Sequence, residues 1–126
     1  MVLTLSVREE RFAVCRLDPQ AAVPHWVTGG PFLSITRTMD ELSVICSEQC
    51  VPPDVHCERS WRLFKFEGPF DFAAAGVLVS VAQPLAEAGV SILAVATYDT
   101  DYLLVREEQY AIAKAVLTAH GHGILG

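Results

Sequence analysis

The segment from Trp61 to Gly121 constrains the fold most, because its apolar pattern changes in order from strand to helix, to two strands and to a second helix. From Trp61 to Phe66, apolar and charged side chains nearly alternate, with the period of two that a half-buried strand shows. Val90–Thr97 is rich in β-branched residues, and Tyr102–Arg106 returns after a turn. These three stretches predict three strands.

Two helices are predicted where apolar residues recur every three or four positions. The first has Asp71 as its expected N-cap and Gly89 just past its end, and its apolar face consists of Ala73, Val77, Val81, Leu85 and Ala88. The second ends at Gly121, and its apolar face consists of Tyr110, Ile112, Ala113, Val116, Leu117 and Ala119. The βαββα order predicts an α+β fold of the ferredoxin-like type, an antiparallel sheet with helices on one face.

The residues upstream contain the same kinds of element in a looser form. Two hairpins are predicted, with the strands Leu3–Val7, Phe12–Leu17, Phe32–Thr38 and Glu41–Ser47. A short helix is predicted to begin at Asp18. Cys50–Ser60, which contains two adjacent prolines, is the linker candidate. We therefore expect two units in tandem, a degenerate one in residues 1–58 and a complete one in residues 59–126.

Composition and charge exclude several classes of partner. The chain has 126 residues, 52% of them hydrophobic, and a net charge of -6. Nucleic-acid binding is not expected, because affinity for phosphates comes chiefly from Lys and Arg, and the nine basic residues are scattered. No apolar run approaches the roughly 20 residues of a membrane span. Met1–Val7 lacks the features of a signal peptide, so we expect a cytoplasmic protein with reduced cysteines.

The sequence gives no support to catalysis or metal binding. Cys46, Cys50, His56 and Cys57 lie close together, but the paired spacing of zinc ligands is absent. The glycine-rich motifs that hold phosphates or dinucleotides are absent, as is a nucleophile elbow. We therefore expect a protein that is not an enzyme and that holds no metal and no cofactor.

Five stretches resemble the small bacterial tandem ACT-domain proteins, which are relatives of the regulatory ACT pairs of aspartate kinases and of the cytosolic arginine sensors. These stretches are Ser34–Cys46, Gly68–Phe72, Gly76–Val77, Pro84–Val90 and Thr97–Tyr102. The resemblance extends over nearly the whole chain. It implies a non-catalytic module, regulatory or sensory, that binds a small effector, usually an amino acid, between ACT units.

A binding site is predicted where the loop before the first helix meets the turn between the last two strands. Unpaired N–H groups at a helix N-terminus suit a carboxylate, and the acidic groups of the turn suit an ammonium group. Thr36 or Thr38 of the first unit would complete the site if the units pack edge to edge. The expected ligand-binding residues are Phe70, Asp71, Ala73, Ala74, Ala75, Gly76, Thr97, Tyr98, Asp99 and Asp101.

The resemblance adds detail at three of these positions. Thr97 and Asp101 match residues that line the site of the arginine sensors. Ala74 stands where those sensors have a glutamate that helps to hold the cationic end of the ligand. The resemblance therefore implies an amino-acid effector without identifying it as arginine.

Several of the predicted ligand-binding residues also have a purely structural interpretation. Asp71 is suited to cap a helix, and aspartates such as Asp99 and Asp101 are common in turns. Phe70 would be at home in a core, and Gly76 would let the helix approach the sheet closely. The functional alternative is an oligomerisation module without a ligand. Only Gly121–Gly126 follows the last helix, so the second unit is expected to lack its last strand. Either Leu3–Val7 crosses over to fill that edge of the sheet or another chain does, and we expect a homodimer.

Overall fold

A computed structural model describes residues 1–70 and 75–126 of the chain. These residues form two compact units. The larger unit comprises Met1–Glu9 and Arg62–Gly126, and the smaller unit comprises Glu10–Trp61. The structure thus places the first nine residues with the C-terminal segment, and a division between residues 58 and 59 stays a prediction.

The second half of the chain has its strands and helices in the βαββα order that its sequence predicts. The strands are β1 (Thr4–Val7), β2 (Phe12–Leu17), β3 (Ser34–Arg37), β4 (Leu42–Ser47), β5 (Cys57–Phe66), β6 (Ile92–Ala96), β7 (Asp101–Arg106) and β8 (Gly123–Leu125). The α-helices are α1 (Val77–Glu87) and α2 (Tyr110–Ala119). No helix in the described part of the chain has the length and apolarity of a membrane span.

The sheet of the larger unit has the strand order β8, β1, β5, β7, β6. Strands β6 and β7 form the predicted antiparallel hairpin, with Ile92 opposite Val105 and Ala96 opposite Asp101. Both helices bury apolar residues in one cluster together with Phe64 of β5. The predicted ferredoxin-like arrangement, with helices on one face of a largely antiparallel sheet, is confirmed.

Strand β1 does not pair with β2, so the hairpin predicted for the first seventeen residues is wrong. Instead β1 pairs antiparallel with β5, where Leu5 lies opposite Phe66. It also pairs in parallel with β8, where Leu5 lies opposite Ile124. The physical reason is that Leu5 and Val7 gain a place in the core beside Phe66, which alternation along the chain does not reveal. A short strand, β8, does follow α2, which was not expected, but it pairs with β1. The edge of β5 is filled by Leu3–Val7, which is one of the two alternatives that the sequence left open.

Both helices end with a glycine in the left-handed region, as their sequences predict. Gly89 has φ 77° and follows α1, and its N–H donates to the Ala86 carbonyl over 3.0 Å. The next N–H, of Val90, donates to the Leu85 carbonyl over 2.9 Å. Gly121, with φ 88°, makes the equivalent turn after α2. This Schellman arrangement satisfies carbonyls that a helix end leaves without partners.

The turn after α2 directs His122 into the larger unit, where only 4% of the residue is exposed. Its Nδ1 accepts a hydrogen bond from the Leu3 N–H over 3.1 Å. The proton of the neutral ring therefore lies on Nε2, which donates to the Ser80 carbonyl of α1 over 3.0 Å. His122 thus joins the segment before β1 to α1.

The smaller unit is a sheet of antiparallel strands in the order β3, β4, β2, β5, to which β5 contributes its first residues. The predicted second hairpin is confirmed, since Ser34 lies opposite Ile45 and Arg37 opposite Leu42. The short helix predicted at Asp18 is wrong. Its carboxylate accepts a hydrogen bond from the Gln20 N–H over 2.8 Å, which closes a turn instead.

We expect the replacement His122→Ala to lower the free energy of unfolding by about 1–3 kcal/mol, because the Leu3 N–H and the Ser80 carbonyl lose their partner away from water. Urea unfolding followed by circular dichroism measures this loss. His120→Ala is the matched control, since His120 is exposed and its ring bonds to the Val116 carbonyl of the adjoining helix over 2.9 Å. Equal losses in the two variants would show that the His122 bonds contribute nothing.

Candidate functional site

A cavity of about 210 Å³ lies in the larger unit, at the end of β5 and beside the turn between β6 and β7. We call it the turn cavity. Its walls come from β5, from the segment that follows β5, from the turn and from the start of β7. The lining residues are Lys65, Gly68, Pro69, Thr97, Asp99, Thr100 and Tyr102.

Strand alternation decides which side chains reach the turn cavity. Phe64 and Phe66 of β5 belong to the core that the helices cover, so Lys65 between them lies on the opposite face of the sheet. Leu103 of β7 is also in that core, and Tyr102 beside it therefore shares the face of Lys65. The turn cavity thus opens on the face away from the helices.

Hydrogen bonds hold the turn in one geometry. The N–H and the hydroxyl of Thr97 both donate to the Thr100 carbonyl, each over 2.9 Å. The hydroxyl of Thr100, which is 7% exposed, donates to the Phe66 carbonyl at the end of β5 over 2.7 Å. The Phe70 N–H donates to the Asp99 carbonyl over 2.8 Å. The turn is therefore fastened both to β5 and to the segment after it.

Two of the predicted binding residues, Thr97 and Asp99, line the turn cavity. Phe70 is bonded to the turn, and its half-buried ring packs on the core. Tyr98 is 80% exposed at the tip of the turn. Asp101 begins β7 and shares the helix-covered face with Leu103, by strand alternation, so its side chain points away from the face of Lys65.

The start of α1 differs from the sequence prediction. The helix begins at Val77, and its N-cap is Gly76 with φ 82°, not Asp71. Ala75 and Gly76 are exposed and precede the helix. The unpaired N–H groups of the helix therefore begin at Val77. Ala75, whose N–H was expected to be one of the first donors of α1, lies before the helix. Asp71, Ala73 and Ala74 lie outside the described residues.

The sequence prediction missed Lys65 and Tyr102 as site residues. Both occupy strand positions opposite to core residues, where a charged or amphipathic side chain signals only an exposed face. Their place beside the turn depends on the pairing of β5 with β7, which is not local in sequence. Lys65 matters most, because it adds a cation to a site for which the sequence offered only acidic side chains.

A second cavity, of about 330 Å³, lies along α1 and beside the residues that follow α2. It is lined by Met1, Val79, Ser80, Gln83, Pro84, Glu87, His120 and His122. Both ring nitrogens of His122 are already bonded within the protein, so this ring offers nothing to a ligand. The turn cavity is therefore the stronger candidate, since it combines ammonium, carboxylate and hydroxyl groups.

We expect Thr100→Val to lower the free energy of unfolding by about 1 kcal/mol, because the Phe66 carbonyl loses its hydroxyl partner while the side-chain volume is nearly kept. Thr100→Ser keeps the hydroxyl and should restore the bond, at the cost of one methyl group. Urea unfolding of the two variants measures the difference. A Thr100→Val protein at least as stable as Thr100→Ser would contradict a fastening role for this bond.

Comparison with known proteins follows the division of the chain. Residues 56–119 match the family model of the ACT domain, and residues 10–54 match a model that describes an N-terminal domain. The cytosolic arginine sensor for mTORC1 subunit 1 of Bos taurus is 35% identical over 92 residues. That match takes in 64% of this chain, which spans only 28% of the length of the sensor.

Solved structures agree with the family match. A crystal structure of a protein from Agrobacterium tumefaciens is 39% identical, with a TM-score of 0.94, and the match covers 99% of this chain and 93% of that one. The ligand-free regulatory subunit of aspartate kinase from Thermus thermophilus has a TM-score of 0.65 at 8% identity, with 95% and 99% of the two chains covered, which shows a shared fold. Because the ACT model matches more than half of the chain and the larger unit has the ferredoxin-like arrangement, this chain belongs to the ACT-domain family.

Proposed function

We propose that the chain is a non-catalytic regulatory module that binds a small amino-acid effector in the turn cavity. The observation that carries this proposal is the presence of a cation, Lys65, and an anion, Asp99, on one small cavity. A free amino acid at neutral pH carries one group of each sign. Lys65 would pair with the α-carboxylate and Asp99 with the α-ammonium group.

The size of the turn cavity supports a small ligand. Its volume of about 210 Å³ is below the roughly 300–1,000 Å³ of pockets for drug-sized ligands. The hydroxyl of Thr97 donates to the Thr100 carbonyl and accepts from the Thr100 N–H over 3.4 Å, so one of its two lone pairs remains to accept from an ammonium group. The Tyr102 ring adds an apolar wall.

The relatives support the same class of function. The Bos taurus protein is by name a cytosolic arginine sensor, and the Thermus thermophilus protein is a regulatory subunit. A cytoplasmic location and a regulatory role in this chain are part of the proposal. The binding role of the helix-preceding residues Phe70, Asp71, Ala73, Ala74, Ala75 and Gly76, and of Tyr98 and Asp101, also stays a proposal.

A thermal-shift screen against the twenty amino acids tests the proposal. A ligand that binds only the folded state should stabilise it by about 2.7 kcal/mol at a concentration of 100 Kd. We expect Lys65→Gln and Asp99→Asn each to abolish the shift that the effector causes, with the unliganded melting temperature nearly unchanged because both side chains are exposed.

Matched controls are available in the same unit. Lys114→Gln and Glu108→Gln remove the same charges from exposed positions away from the turn cavity and should keep the shift. Asp101→Ala distinguishes the two aspartates that could bind the ammonium group. If Asp101→Ala abolishes the thermal shift and Asp99→Asn does not, then Asp101 and not Asp99 binds the ammonium group. No shift with any amino acid would overturn the proposal and favour the ligand-independent module.

The second candidate function is self-association through β6. Within the described residues β6 pairs only with β7, so its other edge is open. The Thr97 N–H bonds to the Thr100 carbonyl, which makes these two a hydrogen-bonded pair. By alternation Ala94 and Leu103 form a non-bonded pair, and the Ala94 N–H faces the open edge. We propose a homodimer that uses this edge.

We expect sedimentation at micromolar concentration to show a dimer, and Ala94→Pro to shift it toward monomer. Proline removes the outward N–H without removing a bond between β6 and β7. Ala94→Ser keeps the N–H and should remain dimeric. A monomeric wild-type chain would end this proposal without affecting the ligand site.

A further inference from the structure

Three of the four cysteines lie on one face of the smaller unit's sheet. Cys15 is on β2, Cys46 on β4, and Cys57 is the first residue of β5. The register places Cys46 opposite Ala13 and Cys57 opposite Cys15. All three side chains pack in the same apolar cluster. Cys50 lies apart from this face, where its thiol donates to the Thr28 carbonyl.

The strand pairing makes Cys15 and Cys57 direct neighbours. The Arg16 N–H donates to the His56 carbonyl over 3.0 Å, so these two residues form a hydrogen-bonded pair. Cys15 and Cys57 are the next pair along and are therefore non-bonded, with Cα atoms about 4.5 Å apart and side chains close together. A disulfide requires Cα atoms about 4.4–6.8 Å apart.

The neighbouring thiol is less well placed for a covalent bond. Cys46 is opposite Ala13, which makes it a diagonal neighbour of Cys15. The Cα atoms of diagonal neighbours on antiparallel strands are about 7–8 Å apart. A disulfide cannot join Cα atoms more than about 7 Å apart unless the backbone moves. Among the described residues, no group of three or more His, Cys, Asp or Glu side chains is arranged to hold a metal ion.

We propose that Cys15 and Cys57 form a reversible cross-strand disulfide when the protein meets a peroxide. Cys57 is half-buried and is the sulfur that the peroxide reaches, whereas Cys15 is 1% exposed. The reduced chain carries both residues as free thiols. A disulfide in a reducing compartment is typically transient and redox-sensing, which agrees with a first sulfur that is only partly covered.

The chemistry balances with one equivalent of hydrogen peroxide. The Cys57 thiol gives up its proton and its sulfur attacks the peroxide, which yields sulfenic acid and a hydroxide that takes up that proton as water. The Cys15 sulfur then attacks the Cys57 sulfur and expels hydroxide, which leaves as a second water with the Cys15 proton. Two thiols lose two electrons and two protons, and the peroxide is reduced to two waters.

The third thiol assists the second step. A hydrogen bond to Cys46 and burial raise the pKa of Cys15 above its usual range, so Cys15 keeps its proton until it reacts. That hydrogen bond from Cys15, with the nearby Arg59 guanidinium, lowers the pKa of Cys46. The Cys46 sulfur is therefore placed to relay the Cys15 proton to the expelled hydroxide as the disulfide forms.

Peptide mapping of the full chain after treatment with one equivalent of hydrogen peroxide tests the proposal. We expect two of the four thiols to be lost, a link between the Cys15 and Cys57 peptides, and full recovery with dithiothreitol. The oxidised protein should also melt at a higher temperature, because the cross-link restricts the unfolded chain.

Variants sharpen the result. After treatment with peroxide, Cys57→Ser should form no disulfide within the chain. Cys50→Ser should form the disulfide between Cys15 and Cys57 as the wild type does. The wild-type peptide map needs no variant to fold, so it decides the matter if Cys57→Ser is unstable. A link that includes Cys46 or Cys50, a link between two chains, or oxidation of Cys57 without any link would overturn the proposal.

Discussion

The position of β1 between β5 and β8 is the constraint on which the larger unit depends. Leu3, Leu5 and Val7 alternate toward the helices and enter the same core as Phe64 and Phe66. Complete burial of each such aliphatic side chain contributes about 1.5–3 kcal/mol, so this short segment carries much of the apolar stabilisation on its side of the sheet. The two bonds of His122 hold the segment against α1, and β8 gains its partner only because β1 is there.

The geometry of the turn cavity follows from that core. With β1 on one side and β7 on the other, β5 is held along both edges, and Phe66 at its end is fully buried. The Phe66 carbonyl is thus a fixed acceptor for the Thr100 hydroxyl, which sets the position of the turn relative to Lys65. Groups of opposite charge held by rigid elements bind a zwitterion without a large ordering cost.

Local signals in the sequence predicted much of the larger unit. The helical spacing and the glycines at positions 89 and 121 predicted where the helices end. The turn signals at Thr97 and Asp99 predicted the turn beside the cavity, whose role as a binding site stays a proposal. The sequence left two places open for Leu3–Val7, the hairpin with Phe12–Leu17 and the open edge of the second unit. It could not decide between them, because both stretches alternate well and the choice depends on contacts distant in sequence. The start of α1 was misplaced because Asp71 resembles an N-cap, whereas Gly76 with positive φ occupies that position.

The cysteines also show that spacing along the chain does not reveal which residues strand pairing brings together. Spacing along the chain grouped Cys46, Cys50 and Cys57, and that grouping lacks the paired spacing of zinc ligands. Strand register regroups them, because it places Cys15 opposite Cys57 and leaves Cys50 out. The thiol pair and the turn cavity share no residue, and each lies within one unit. The proposed effector binding and the proposed disulfide therefore depend on different residues and different chemistry. An experiment that contradicts one of these proposals leaves the other unaffected.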